Sequence, residues 1–273
     1  MARVAVVVAV FAVAFGAAAA VRPSLVGLGS GTRYHTTDGA RVRAFPLHSR
    51  LFRRTLHEVA VVPRGRRGRP LLVLLHGRSM PPNGLLSDAF FRELRRLGPR
   101  APVVLFPDGG DHSYWHDRRD GPWGSYVLRE AIPDAILRFD ADGSRVAIGG
   151  VSMGGFGALD LARIAPRRFC AVGAHSAALW ENPRDTAPGA FDDVADFARH
   201  DWMIAVPVLF GARMRVWVDV GTRDPFRAAD TDLARLLGPR ASFHVWPGGH
   251  DTSYWDHHMP TYLAFYARAL SRC

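Results

Sequence analysis

The chain has 273 residues, 48% of them hydrophobic, enough for one large core or two small domains. Its formal charge is +10, from 35 basic against 25 acidic residues, and every basic residue is an arginine. Apart from Arg64, Arg66, Arg67 and Arg69 the arginines are scattered, so the clustered stripe of a nucleic-acid-binding face is missing and the charge reads as a solvated surface with some attraction to anionic envelopes.

Residues 1–20 read as a targeting segment. Arg3 gives a small positive start, Val4 to Ala20 is an unbroken apolar run, and Ala18, Ala19 and Ala20 offer a small-residue cleavage pattern. Cleavage with export and retention as an N-terminal anchor both stay open, and only an uncleaved segment would touch a membrane. No composition break divides residues 21–273, which read as a single domain. The first strands are expected over 41–47 and 54–62, where Leu56, Glu58 and Ala60 alternate with His57, Val59 and Val61. Leu71 to Leu75 is a continuous apolar run, the pattern of a strand covered on both faces, and it leads into His76, Gly77, Arg78 and Ser79. Ser87 or Asp88 caps a helix through Leu97 with Phe90, Phe91, Leu94 and Leu97 on one face. Val103 to Phe106 is the next buried strand. A polar, aromatic loop follows over 111–124, then a helix over about 125–139, and Asp142-Gly143 reads as a turn.

Arg145 to Leu159 holds the stretch that organises the rest. Val146, Ala147 and Ile148 form a buried strand, and Gly150-Val-Ser152-Met-Gly154 turns it into a small-residue helix running to Ala165. This is the strand–turn–helix context of a nucleophile elbow. The turn lifts the Ser152 hydroxyl above the sheet edge, and side chains at Gly150 and Gly154 would collide where helix and strand approach. The Met153 backbone N–H then points to where an oxyanion would form. Downstream, strands are expected over 170–174, 216–220 and 242–246. Helices are expected over 228–237 and 261–270, and an irregular insertion over 180–206 with a short helix near 191–199. Strands alternating with helices predict an α/β fold with a mostly parallel sheet covered on both faces.

Ligands of such sheets bind beyond the carboxyl ends of the strands. Ser152, Asp224 and His250 stand there, in the chain order serine, acid, histidine. A serine hydroxyl needs a base within hydrogen-bond reach, and the base needs an acid to fix its tautomer. His250 follows the last strand and two glycines. His112, His116, His244, His257 and His258 have less suitable positions. Asp224 occupies a strand-end turn, whereas Asp219 sits within the strand and Asp192 and Asp193 in the insertion. The second oxyanion donor is expected from the loop after Leu75, through Gly77 and the Arg78 N–H, with His76 buttressing that loop. Trp115, Trp123, Phe226 and Trp255 lie near strand ends and divide between core packing and substrate contact. Cys170 reads as a core thiol; a disulfide with Cys273 stays open for an oxidising compartment. Neither cysteine has a metal-ligand spacing, no metal motif, dinucleotide fingerprint or P-loop is present, and no metal or cofactor is expected.

These motifs together resemble a known family. His76-Gly after an apolar run, Phe-Pro-Asp108-Gly, the Ser152-Met-Gly-Gly elbow, Asp219-Val-Gly-Thr-Arg-Asp224-Pro-Phe and Gly-Gly-His250 are similar to the putative-esterase family of α/β hydrolases. That family includes esterase D (S-formylglutathione hydrolase), feruloyl esterases and the antigen 85 mycolyltransferases. The likeness covers about residues 54–270 and departs at Arg78-Ser79-Met80. It implies an α/β-hydrolase fold with Ser152 as nucleophile, Asp224 as acid and His250 as base. The expected function is therefore an exported, secreted or envelope carboxylesterase acting on a small-molecule or envelope ester through an acyl-enzyme. The alternatives are an acyltransferase to a sugar or lipid hydroxyl and a non-catalytic module on the same scaffold, which an intact triad argues against.

Overall fold

The computed structural model describes residues 33–65, 67–202 and 214–273. The targeting segment of residues 1–20 and the end of the 180–206 insertion lie outside them. Eight strands form one sheet in the order β1-β2-β4-β3-β7-β8-β9-β10. The antiparallel pair β1 (Arg41–Ser49) and β2 (Arg54–Val62) sits at one edge, and β2 runs antiparallel to β4 (Val103–Phe106). From there the sheet is parallel through β3 (Arg69–Leu75), β7 (Ala141–Val151), β8 (Ala171–His175), β9 (Arg215–Gly221) and β10 (Ala241–Trp246). Two short strands, β5 (Asp117–Arg118) and β6 (Gly121–Pro122), make a separate ribbon in the aromatic loop. This is the mostly parallel α/β-hydrolase architecture.

Period-two alternation splits each central strand between two cores. Leu71, Val73 and Leu75 pack with α3 (Ile132–Phe139), α4 (Met153–Ile164) and α6 (Arg227–Leu237), whereas Leu72 and Leu74 pack with α1 (Asp88–Leu97) and α7 (Thr252–Leu270). Two shorter α-helices are α2 (Trp123–Tyr126) and α5 (Val194–Arg199). Ser87 caps α1, its hydroxyl accepting from the Phe90 N–H. The helix entered at Trp123 passes through a wide turn at Val127–Ala131 before α3, where the Ile132 N–H reaches Val127 O. Pro133 explains the widening, because it has no N–H for the ordinary i−4 bond.

Three expectations change. Asp142-Gly143 lies inside β7, whose register shifts against Pro70/Leu71. The closing helix starts at Thr252 rather than Thr261, capped by Asp251 and running through Pro260. The packing of Tyr254, Trp255 and Met259 carries the helix across the proline. Cys170 is not a free core thiol: it pairs with Cys273, Cα to Cα 5.7 Å, across 103 residues. Closing so long a loop restricts the unfolded chain, so Cys273→Ser should cost about 2–5 kcal/mol. Urea unfolding checks this: reductant should bring the wild type to the variant's midpoint and leave the variant unmoved.

Glu58 makes a second stability prediction. It is fully buried on β2, accepting from the Tyr126 hydroxyl and from the Asp108 N–H. Burial pushes its carboxyl up from 4.5 to about 8, against the pull of those donors. The folded protein therefore holds one more proton than the unfolded chain between about pH 4.5 and 8, and stability falls as pH rises through that window. Glu58→Gln, which keeps an acceptor for Tyr126, should flatten the decline of urea-unfolding free energy from pH 5 to 8. Equal slopes in the two proteins would remove Glu58 as the titrating group.

Candidate active site

The chain turns from β7 into α4 at Ser152, whose backbone adopts φ 55° and ψ −118°. That is a costly conformation for a residue with a Cβ. It is held by the Ser152 N–H donating to His175 O and by Ser152 O accepting from Phe156 N and Ala178 N. A Cβ on Gly150 would fall 2.4 Å from the Gly154 carbonyl, and one on Gly154 would fall 2.1 Å from Leu75 O. Both glycines are therefore steric requirements of the crossing, as their spacing predicts.

Beyond β10, the Gly248-Gly249 loop brings His250 over the sheet edge. Its Nε2 lies 2.8 Å from Ser152 Oγ, and its Nδ1 lies 2.9 Å from Asp224 Oδ2. The other Asp224 oxygen accepts from the Phe226 N–H at 2.8 Å, which fixes the carboxylate in its turn. With Nδ1–H donating to Asp224, Nε2 is the acceptor for the serine proton. Such an array can draw a proton from a hydroxyl as that hydroxyl attacks a carbonyl carbon.

Asp219, the competing acid, is elsewhere. It is fully buried and accepts from Trp217 Nε1 (2.8 Å), His175 Nδ1 (2.6 Å), and the hydroxyls of Tyr254 (3.0 Å) and Tyr262 (2.7 Å). His175 Nε2 continues the network to the Tyr266 hydroxyl at 2.9 Å. Asp192 and Asp193 belong to the insertion and to the Asp193 cap of α5. Asp230 on α6 was not singled out in the sequence. It is fully buried, and burial, followed by the charges of Asp224 and Asp219, holds its carboxyl well above the usual range.

Met153 opens α4, so its N–H is among the donors that have no partner within the helix. Gly77 lies against the serine: a Cβ there would sit 3.5 Å from Ser152 Cβ and 3.1 Å from Met80 Sδ. The loop from Gly77 to Met80 closes with Met80 N donating to Gly77 O and Ser79 N donating to Asp111 O. His76 anchors it as a neutral buttress. Its Nδ1–H donates to Gly77 O at 2.9 Å, its Nε2 accepts from the Gly109 N–H at 3.1 Å, and burial holds its pKa below the ordinary value.

The aromatic expectations divide. Trp115 is fully buried, packed on Gly109 and Gly157, with Nε1–H donating to His76 O. Trp123 is also buried, its ring against Phe52 and Gly110. Neither ring is open to a substrate; glycines distant in sequence make their slots, so a loop position does not reveal the burial. Phe226 and Trp255 flank His250, their ring centroids 5.1 and 5.2 Å from its own, although Trp255 is as buried as Trp123. Two residues not singled out extend this wall: Trp180 packs on Phe226 at 5.5 Å, and Tyr114 packs on Trp180 at 5.4 Å. The Arg78 guanidinium lies near the Tyr114 hydroxyl. Contacts thus run in a closed circuit from Ser152 through His250, Phe226, Trp180, Tyr114 and Arg78 to Gly77. The position of Trp180, just past the end of β8, was the available sequence signal.

Comparison with known proteins bears on the family and the fold. The model of the Putative esterase family matches residues 56–266. The chain is 30% identical over 168 residues to an iron(III) salmochelin esterase of Escherichia coli O6:H1 (strain CFT073), a match spanning 56% of this chain and 40% of that protein's length. A ferulic acid esterase structure superposes with a TM-score of 0.73 at 22% identity, covering 84% of this chain and 98% of its own. The Mycobacterium tuberculosis protein MPT51 superposes with a TM-score of 0.67 at 20% identity, covering 85% and 99%.

Proposed function

We propose, for a chain that belongs to the Putative esterase family of α/β hydrolases and is of the carboxylesterase-type serine hydrolase class, that it cleaves carboxylic esters through an acyl-enzyme on Ser152. The observation that carries this reading is the continuous hydrogen-bonded line from Ser152 through His250 to Asp224, at 2.8 and 2.9 Å. His250 takes the Ser152 proton as Oγ attacks the ester carbon. Asp224 holds the imidazole tautomer and stabilises the imidazolium. The oxyanion is received by the Met153 N–H and by an N–H of the Gly77–Arg78 segment. His250 then returns the proton to the leaving alcohol, and water repeats the sequence to release the acid.

The aromatic circuit from Phe226 to Tyr114 favours an ester with an apolar or aromatic portion, since such rings bury flat apolar groups best. The Cys170–Cys273 pair and the apolar N-terminal run together favour an exported enzyme, because disulfides persist in oxidising compartments. Fluorophosphonate labelling followed by peptide mass spectrometry tests the reading. The adduct should sit on Ser152 alone, and an unlabelled wild type would overturn the proposal. Repeating turnover with a sugar acceptor present separates hydrolysis from transfer: a glycosyl ester among the products would make the enzyme an acyltransferase with the same nucleophile.

A further inference from the structure

We propose that His116, Asp196 and His200 bind a divalent transition-metal ion, zinc by their chemistry, at a site apart from Ser152. The three come from two separated parts of the chain. His116 ends the aromatic loop before β5, Asp196 lies on α5, and His200 follows that helix. One ligand atom from each converges, all within 4.8 Å of one another. His116 Nε2 lies 3.2 Å from Asp196 Oδ2, and His200 Nε2 lies 3.7 Å from Asp196 Oδ1. Zinc with nitrogen and oxygen ligands at about 2.0–2.2 Å in tetrahedral geometry keeps those ligands roughly 3.3 Å apart, so atoms spread over as much as 4.8 Å must draw together by up to about 1.5 Å to close on an ion. His116 and Asp196 are fully buried, and His200 forms the rim with its side chain 11% exposed.

The rings are oriented as those of metal-ligating histidines are. Each imidazole turns its Nδ1 toward an oxygen. His200 Nδ1 lies 3.0 Å from Asp160 Oδ2, and His116 Nδ1 lies 3.4 Å from Tyr114 O. In the tautomers with hydrogen on each Nδ1, both Nε2 lone pairs face the carboxylate and are free to share a cation with it. Carboxylate or carbonyl partners behind ligating histidines are the usual way a protein orients such ligands. Asp196 is oriented as well: its Oδ2 accepts from the Asp192 N–H at 2.8 Å, and its Oδ1 accepts from exposed Arg199 at 3.0 Å. Two nitrogens and one carboxylate leave a fourth position for water, a set that suits zinc. Sequence offers only the Asp196–His200 pair at i,i+4, because His116 lies 80 residues before Asp196.

The site clamps the insertion to the body of the fold. His116 stacks on Phe191 with centroids 5.3 Å apart, and Phe191 packs on Trp180, which in turn packs on Phe226 beside His250. A bound ion therefore fixes the aromatic wall without touching the reacting atoms.

Equilibrium dialysis of the tag-free full chain against micromolar zinc, after chelator treatment, tests this. One ion per chain is expected, with a rise of several degrees in the thermal midpoint and, when cobalt replaces zinc, the visible bands of a four-coordinate ion. His200→Ala, a rim substitution, should lose all three responses while folding normally by circular dichroism. Asp160→Asn keeps every ligand but weakens the orientation of His200, and should lower zinc affinity about 10- to 100-fold. Wild type that binds no zinc, or a His200→Ala variant that binds it with unchanged affinity and cobalt spectrum, would overturn the proposal.

Discussion

Replacing Ser152 with alanine should lower kcat for an ester substrate by a factor on the order of 10⁵–10⁶ while leaving the protein folded. The hydroxyl's one protein partner is His250 Nε2, whereas the backbone bonds that hold the turn belong to the Ser152 N–H and carbonyl, which alanine keeps. Alanine also meets the same backbone requirement at φ 55°, so the turn is no more strained than before. His250→Ala should cost about as much, and the double variant little more than either, because nucleophile and base act as one unit. What remains over the uncatalysed rate reports the oxyanion donors and substrate binding alone, roughly 10³–10⁴-fold. The measurement is kcat normalised to folded protein, with thermal midpoints recorded alongside. A Ser152→Ala enzyme retaining more than about a hundredth of wild-type turnover would move the nucleophile to another residue.

The features legible in sequence are those whose causes are local. Gly150 and Gly154 announce the elbow because the collision they avoid involves chain within a few residues of Ser152 and the neighbouring strand. The runs Leu71–Leu75 and Val103–Phe106 announce buried parallel strands because both faces must be apolar. The family resemblance sharpened this reading, and the match over residues 56–266 bears it out. Features set by distant parts of the chain were not legible. Trp115 sits in a slot made by Gly109 and Gly157, so its loop position resembled a substrate-facing one. The Trp180–Tyr114 wall joins the region after β8 to the loop after β4. The first turns of α7 were hidden by Pro260, which breaks a pattern in sequence but costs one backbone bond in a helix held by its buried face. The preference for Asp224 over Asp219 rests in sequence on position alone, a strand-end turn against a place within β9, since both carboxylates are buried beside a histidine.

That choice makes the sharpest second test. Asp224→Asn should lower kcat about 10⁴-fold near neutral pH without unfolding the protein. The reason lies in the second oxygen of Asp224. Oδ1 accepts from the Phe226 N–H at 2.8 Å, and an asparagine must keep its carbonyl oxygen there to satisfy that donor. Its NH₂ group then faces His250 Nδ1, at the position Oδ2 holds 2.9 Å away. An amide donor opposite Nδ1 forces the imidazole proton onto Nε2, where it confronts Ser152 Oγ and can no longer accept the serine proton. Asp219→Asn should behave in the opposite way. Asp219 makes no contact with His250 and accepts four buried donors, so an amide there sets N–H against N–H or O–H inside the core. Stability should fall by about 1–3 kcal/mol or more, since a buried donor left without an acceptor carries its full desolvation cost, while turnover per folded molecule stays near wild type. Denaturant melts and fluorophosphonate-titrated kcat for the two variants separate the roles. A stable, active Asp224→Asn beside an inactive, folded Asp219→Asn would transfer the acid's role to Asp219 and dismantle the line from Ser152 through His250 to Asp224.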